Sequence, residues 1–234
     1  MKNIIDGLYI LESSPSSHVF YINDEKRILI DTGLPSSASE IVKELHNHHI
    51  DKIDIILLTH HDVDHVGGAY KLQKEMGSEV YISKEDYPYL CKEKDRPGIK
   101  KVLAKCLHIK PPLHVKIIDC NYLYGVQAVK TPGHTPGHMA FGYHEVLISG
   151  DLFQNKNGIL SKSPKIFTYD NARNAKSLKT ILSGRYRWIC PAHGDIIKYS
   201  DSFKQRIYEI IEANIDENRR NTKRKTHSDD NTSC

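Results

Sequence analysis

Thr59-His60-His61-Asp62-Val63-Asp64-His65, directly after the apolar run Ile53 to Leu58, decides how this chain folds. Seven consecutive residues carry three imidazoles and two carboxylates. A short aliphatic run bounded by charge reads as a buried strand. The donor-rich segment therefore begins where a strand ends, and a rigid strand end holds several side chains at fixed angles. Imidazole and carboxylate are the donors that zinc, iron and manganese accept. The alternative is a polar loop with incidental histidines. Candidate ligands that recur downstream in equally ordered contexts argue against it.

Three further stretches repeat the arrangement. Thr131-Pro132-Gly133-His134-Thr135-Pro136-Gly137-His138 follows the strand-like Val126-Gln127-Ala128-Val129. Glu145-Val146-Leu147-Ile148-Ser149-Gly150-Asp151 is an apolar strand ending in a carboxylate, and Trp188-Ile189-Cys190-Pro191-Ala192-His193 is another ending in a histidine. Four strand ends thus deliver His60, Asp62, Asp64, His65, His134, Asp151 and His193. A lone histidine after a strand is usually structural; four such ends in one small chain point to a metal centre.

Together these motifs resemble the metallo-β-lactamase superfamily of metallohydrolases. The family pattern runs H-x-H-x-D-H, then TPGH, then an aspartate after glycine, then P-x-H-G. Here His60, Asp64, His65, His134, Asp151 and His193 match it, and Ile28-Leu29-Ile30-Asp31-Thr32-Gly33 matches an upstream Asp-Thr-Gly element, so that the likeness spans roughly residues 8 to 195. The resemblance implies an α/β fold, the four-layer αββα sandwich of the metallo-β-lactamase fold. It implies two divalent metal ions, zinc first, with His60, Asp62 and His134 at site one, Asp64, His65 and His193 at site two, and Asp151 between them. It also implies hydrolysis by a metal-bound hydroxide, with Asp64 both a ligand and the catalytic proton acceptor or orienter.

One position departs from the pattern: Asp62 stands where the family carries its second motif histidine. A carboxylate adds a negative charge and a harder donor, which moves site one toward iron or manganese. His61 is the candidate substitute ligand, although adjacent residues at a strand end point to opposite sides. Asp31 reads either as an orienter of the ligand loop or as a turn residue before Gly33, and His138 as a group behind the ligands or beside the substrate.

Composition sets the remaining bounds. The chain has 234 residues, 39% hydrophobic and 26% charged, with a net charge of +4. These values are ordinary for a soluble protein, and no run approaches the ~18 apolar residues of a membrane span. Five cysteines, odd in number and without C-x-x-C spacing, read as free thiols of a cytoplasmic protein. The charge comes largely from the basic segment after Asn218, so nucleic acid is not an expected partner. A small-molecule substrate is the expected partner, with a homodimer as a further expectation.

A hydrolase domain is expected over 1–217, with 84–116 as a lid, and a disordered basic tail over 218–234. Strands are expected at Leu8 to Leu11, Val19 to Ile22, Arg27 to Ile30 and Val80 to Ser83. Helices are expected from Ser36 to His46 with Ser39 or a nearby serine as cap, from Ala69 to Met76, in a stretch that includes Ser177 to Leu182, and over 202–215. Gly67-Gly68 is expected to turn the backbone tightly behind the ligands. The His46-Asn47-His48-His49 cluster suits a helix end better than a metal site. Tyr87, Tyr89, Lys100, Lys101, Lys105 and Lys110 in the lid could receive an anionic or apolar substrate group, or form a solvated face.

Two functions follow from the resemblance. The first is metal-dependent hydrolysis of a small ester, lactone or thioester. The second is iron-dependent redox chemistry on the same fold, of the sulfur dioxygenase or oxygen-reducing type. Only 39 residues follow Asp195, too few for the helical glutathione grip of hydroxyacylglutathione hydrolases. The tyrosine that lactonases place shortly after the bridging aspartate is also missing, since Asp151 precedes Leu152-Phe153-Gln154, although Tyr169 could lie near.

Overall fold

Alternate residues of the aliphatic strands enter two different cores in the computed structural model, which describes residues 1–182, 184 and 186–213. Leu29, Ile56, Val80 and Ile82 pack with Ile41, Leu45, Leu72 and Met76. Their chain neighbours Ile28, Ile30, Ile55 and Leu57 pack instead with Phe141, Tyr143, Val146 and Ile148. A strand shows successive side chains to opposite faces, so a run apolar at every position must be covered on both sides. This requires a layered fold.

The strands in chain order are β1 (Lys2–Ile5), β2 (Leu8–Ile10), β3 (Phe20–Asn23), β4 (Arg27–Ile30), β5 (Ile55–Leu57), β6 (Glu79–Ile82), β7 (Val115–Ile117), β8 (Tyr122–Leu123), β9 (Val126–Lys130), β10 (Met139–Tyr143), β11 (Val146–Gly150), β12 (Gln154–Lys156), β13 (Ile159–Ser161), β14 (Trp188–Pro191) and β15 (Ile197–Lys198). The helices are α1 (Ala38–Asn47), α2 (Val63–Val66), α3 (Ala69–Met76), α4 (Tyr87–Leu90), α5 (Ile99–Cys106), α6 (Asn171–Leu182) and α7 (201–213). Strands β1 to β7 form one mixed sheet in sequential order, antiparallel up to β4 and parallel from β4 to β7. The second sheet runs β15-β14-β11-β10-β9-β8, with β11 and β14 parallel. Helices α1 and α3 cover the outer face of the first sheet. Helices α6 and α7 cover the second through Leu178, Ile181, Phe203 and Ile207. The result is the expected α/β arrangement of two mixed sheets flanked by helices.

Local departures from expectation have physical causes. Helix α1 begins at Ala38, after a 3-10 turn over Pro35–Ser37. Ser37 at its N-cap is in the helical region (φ −82, ψ −17) and makes no capping bond, because a cap side chain needs extended backbone to reach back to the first N–H groups. The helix expected to include Ser177 to Leu182 is α6, which starts at Asn171, where Asp170 Oδ1 accepts the N–H groups of Ala172 and Arg173. Gly67 and Gly68 form the expected turn between α2 and α3, but with ordinary helical φ (−60 and −85) that needs no glycine. Their lack of a side chain serves close approach, since a Cβ would stand 2.4 Å from Pro35 Cδ at Gly67 and 2.4 Å from the Thr32 carbonyl at Gly68. The His46–His49 cluster sits at the end of α1, with His48 as C-cap. Residues 84–116, expected as a lid, contain the short helices α4 and α5. The basic segment over 218–234 lies outside the described residues. Among the described residues no helix is long and apolar enough to cross a membrane.

Candidate metal centre

Four strand ends converge on one point. After β5 the Thr59 carbonyl accepts the Met139 N–H at the start of β10 (2.8 Å), which ties the two sheets together beside His60. Asp62 is the extended N-cap of α2, so Asp64 and His65 fall on that helix's single turn. The loop after β9 is closed by Thr131 N–H bonding to the His138 carbonyl (3.0 Å), which presents His134. β11 ends at Gly150 (φ 53), where the chain swings Asp151 inward. β14 leads through Ala192, whose N–H bonds to the Gly150 carbonyl (3.1 Å), to His193.

The structure brings together all seven residues singled out by the sequence. His60, Asp62 and His134 form one buried group whose donor atoms all lie within 4.8 Å of one another, and Asp64, His65 and His193 form another, in which His65 is buried and Asp64 and His193 are half-buried. Asp151 joins them: its Oδ1 is 3.4 Å from His65 Nε2 and 3.3 Å from His193 Nε2, and its Oδ2 is 3.5 Å from His134 Nε2. Such adjacent clusters of His and Asp donors, most of them buried, suggest a binuclear metal site.

Hydrogen bonds behind the donors fix which nitrogen faces inward. Asp31 Oδ2 lies 2.7 Å from His65 Nδ1 and accepts the Thr59 hydroxyl at 2.7 Å, while Asp31 Oδ1 accepts the Thr59 N–H at 2.8 Å. A carboxylate only accepts, so His65 carries its proton on Nδ1 and turns Nε2 toward the cluster. Thr59 has spent its hydroxyl proton on Asp31, so His60 Nδ1, 2.9 Å away, donates to the Thr59 oxygen. Asp31 is thus the orienter of two donors rather than a mere turn residue, and it is held in left-handed backbone (φ 63) to do so. His138 stands behind Asp151: its Nε2 accepts the Asp151 N–H at 3.0 Å, so its Nδ1 donates to the Thr131 hydroxyl at 2.8 Å.

Segment 84–116 supplies Tyr89 and Lys100, which the sequence singles out, together with Asp86 and Arg96, which it does not. Asp86, wholly buried, accepts from the Thr135 hydroxyl (2.6 Å), Gly137 N–H (2.7 Å) and His61 N–H (3.2 Å). It therefore anchors the loop that carries His134. His61 is absent from the donor groups. Its Nδ1 is 3.0 Å from Asp86 Oδ2 and its ring stacks on Tyr89 at 4.6 Å. Arg96 Nε donates to the His61 carbonyl at 3.0 Å. Lys100, on α5, reaches the donors themselves, with Nζ 2.6 Å from Asp62 Oδ2. No motif marks Asp86 or Arg96; their only sequence signal is charge in a segment that must become buried.

Electrostatics follow the geometry. Burial works against ionised Asp62 and Asp151, but Lys100 holds the Asp62 carboxyl well below the usual range, and His65 with His193 does the same for Asp151. Burial opposes a charged His193, yet Asp151 and Asp64 push it up to about 10; Asp31, Asp64 and Asp151 likewise raise His65 against burial. Burial and the neighbouring His65 hold His60 well below its ordinary value, and burial with nearby His134 lowers His138 to about 3.

The second cluster fits a metal ion. His65 Nε2 and Asp151 Oδ1 are buried and have no hydrogen-bond partner among the described residues. Buried polar atoms left unpaired are costly, and a cation would satisfy both. In the first cluster His60 Nε2 and Asp62 Oδ1 are similarly unpaired, but Asp62 Oδ2 is engaged by Lys100. Both clusters open onto a cavity of about 360 Å³ whose apolar wall includes Leu34, Leu103, Leu107 and Phe167.

The likeness to known proteins agrees with this geometry. A family model described as the metallo-beta-lactamase superfamily matches residues 14–193. "Probable metallo-hydrolase YybB" of Bacillus subtilis is 29% identical, over 79% of this chain and 83% of its own length. The crystal structure of metallo-beta-lactamase family protein TTHA1429 from Thermus thermophilus superposes with a TM-score of 0.71 at 20% identity, covering 90% of this chain and 80% of that one. The structure of TTHA1623 in a di-iron-bound form gives a TM-score of 0.67 at 25% identity, covering 81% and 94%.

Proposed function

The chain belongs to the metallo-beta-lactamase superfamily, and on that premise we propose that this metallohydrolase opens a small ester, lactone or thioester. The observation that carries the proposal is the union of unpaired, inward-facing donors with an apolar-walled cavity. In this reading Asp64, His65, His193 and Asp151 hold a divalent ion. When bound, such an ion acidifies a water molecule and polarises a carbonyl oxygen. The rest of the work falls to side chains. Asp64 is partly exposed, and its Oδ2 lies 3.4 Å from His193 Nε2. A carboxylate there can orient the attacking water and take its proton. Leu34, Leu103 and Phe167 would receive the acyl group and keep bulk water from the reacting carbonyl. Asp31, through His65 and Thr59, keeps the donors in one tautomer without reorganisation during the reaction.

The metal is left to experiment: the carboxylates Asp64 and Asp151 beside the imidazoles His65 and His193 suit iron or manganese as well as zinc, and a relative of similar fold is known in a di-iron-bound form. The test is hydrolysis of a panel of short-chain p-nitrophenyl esters, γ-lactones and acyl thioesters by protein loaded in turn with zinc, manganese and ferrous iron. Turnover of at least one class, lost on chelation, is expected. No turnover of any class by any loaded form would contradict the proposal.

A further inference from the structure

An ammonium group already faces the first cluster. Lys100 Nζ lies 2.6 Å from Asp62 Oδ2 and 3.4 Å from His134 Nε2. It thus contacts two of the three residues of that donor group. The lysine is only 5% exposed. A lysine is rarely buried so fully unless a carboxylate is waiting for it. Asp62 is that carboxylate, and it stands where the family motif carries a histidine.

The two clusters differ in charge. The first contributes one carboxylate of its own, Asp62, which Lys100 balances, and shares Asp151, whose Oδ2 lies 3.5 Å from His134 Nε2. The second contributes Asp64 and Asp151, whose oxygens face His65 and His193 at 3.3–3.8 Å. A divalent ion entering the second cluster meets two carboxylates and unpaired nitrogen. One entering the first must displace a buried ammonium from a short ion pair. Position 62 therefore reads as the lysine's counter-ion more than as a harder substitute donor.

We propose that Lys100 is the resident cation of the first cluster. The protein then holds one tightly bound metal ion, at the second cluster, and Lys100 Nζ supplies the other positive charge at the cavity. Lys100 lines that cavity, so the ammonium faces the substrate's carbonyl oxygen and stabilises charge developing on it, as a fixed donor aimed at an oxyanion does. The inference rests on the metal-dependent reading above and sharpens it.

Metal stoichiometry tests it without any assay of activity. Wild type, Lys100→Met and Lys100→Gln are stripped with chelator, equilibrated with zinc and separately with ferrous iron under anaerobic conditions, dialysed and analysed for metal. One equivalent retained by wild type and two by either folded variant is the expected result. Two equivalents in wild type would overturn the inference and leave the hydrolase reading intact. One equivalent in wild type and in a folded variant alike would also overturn it. No metal in any form would overturn the metal-dependent reading and the inference with it. Should neither variant fold, the wild-type count alone decides, one equivalent supporting the inference and two overturning it.

Discussion

Asp86 shows how much of the centre depends on a residue that touches no donor. Its carboxylate accepts from Thr135, Gly137 and His61, three groups brought from two separate loops. Removing it leaves buried donors unpaired, so Asp86→Ala is expected to cost about 3 kcal/mol, read as a lowered denaturation midpoint. Burial would raise its pKa, but His61 and the hydrogen bonds from Thr135 and Gly137 hold it below the ordinary 3.8. A depressed folded-state value means stability that is present above the unfolded value and is lost as pH falls through the folded one. The stability gap between wild type and Asp86→Asn should therefore be full at pH 6 and shrink below pH 4. A gap independent of pH would show that the charge contributes nothing. The donors were legible because imidazole and carboxylate at strand ends are themselves the signal. Asp86 was not, because it works on backbone N–H groups distant in sequence, and no spacing records that.

At the scale of elements, strand ends aim the donors and glycines set how closely the loops can pack. Gly133 precedes His134 at φ +147, and a Cβ there would fall 2.3 Å from the Asn174 nitrogen on α6. Gly77, the C-cap of α3, has φ +70 and nothing within 4 Å. Gly133→Ala should therefore cost about 1–3 kcal/mol through overpacking and disturb His134. Gly77→Ala should cost about 1 kcal/mol from backbone strain alone and leave metal binding unchanged. Equal effects on metal content would refute the distinction. Most strands and α3 were readable from apolar runs. The start of α6 was not, because its Asp170 cap lies beyond the apolar stripe that marks the helix, and the role of Gly67-Gly68 depends on Pro35 and Thr32, which fold back from an earlier loop.

Across the whole molecule, two sheets press their inner faces together to make the rigid frame on which the clusters sit. Phe141, wholly buried between them, packs with residues of both sheets. Phe141→Ala is expected to cost about 3–5 kcal/mol and to lower the thermal midpoint, while protein that remains folded keeps its metal. The layering was legible, since β4 and β5 are apolar at nearly every position and demand cover on both sides. A lid over 84–116 was expected from the sequence, but the pairing of Lys100 on α5 with Asp62 was not legible, because in sequence Lys100 is one of several lid lysines that could equally receive a substrate group or form a solvated face. The account turns on one claim: a metal ion held by the second cluster carries the hydrolysis. Stripped protein should be titrated with metal while bound metal and initial rate are followed together on an ester or lactone that the loaded protein turns over. The account predicts no turnover without metal and a rate that rises in proportion to metal bound until the site is full. Undiminished turnover by fully stripped protein would contradict it.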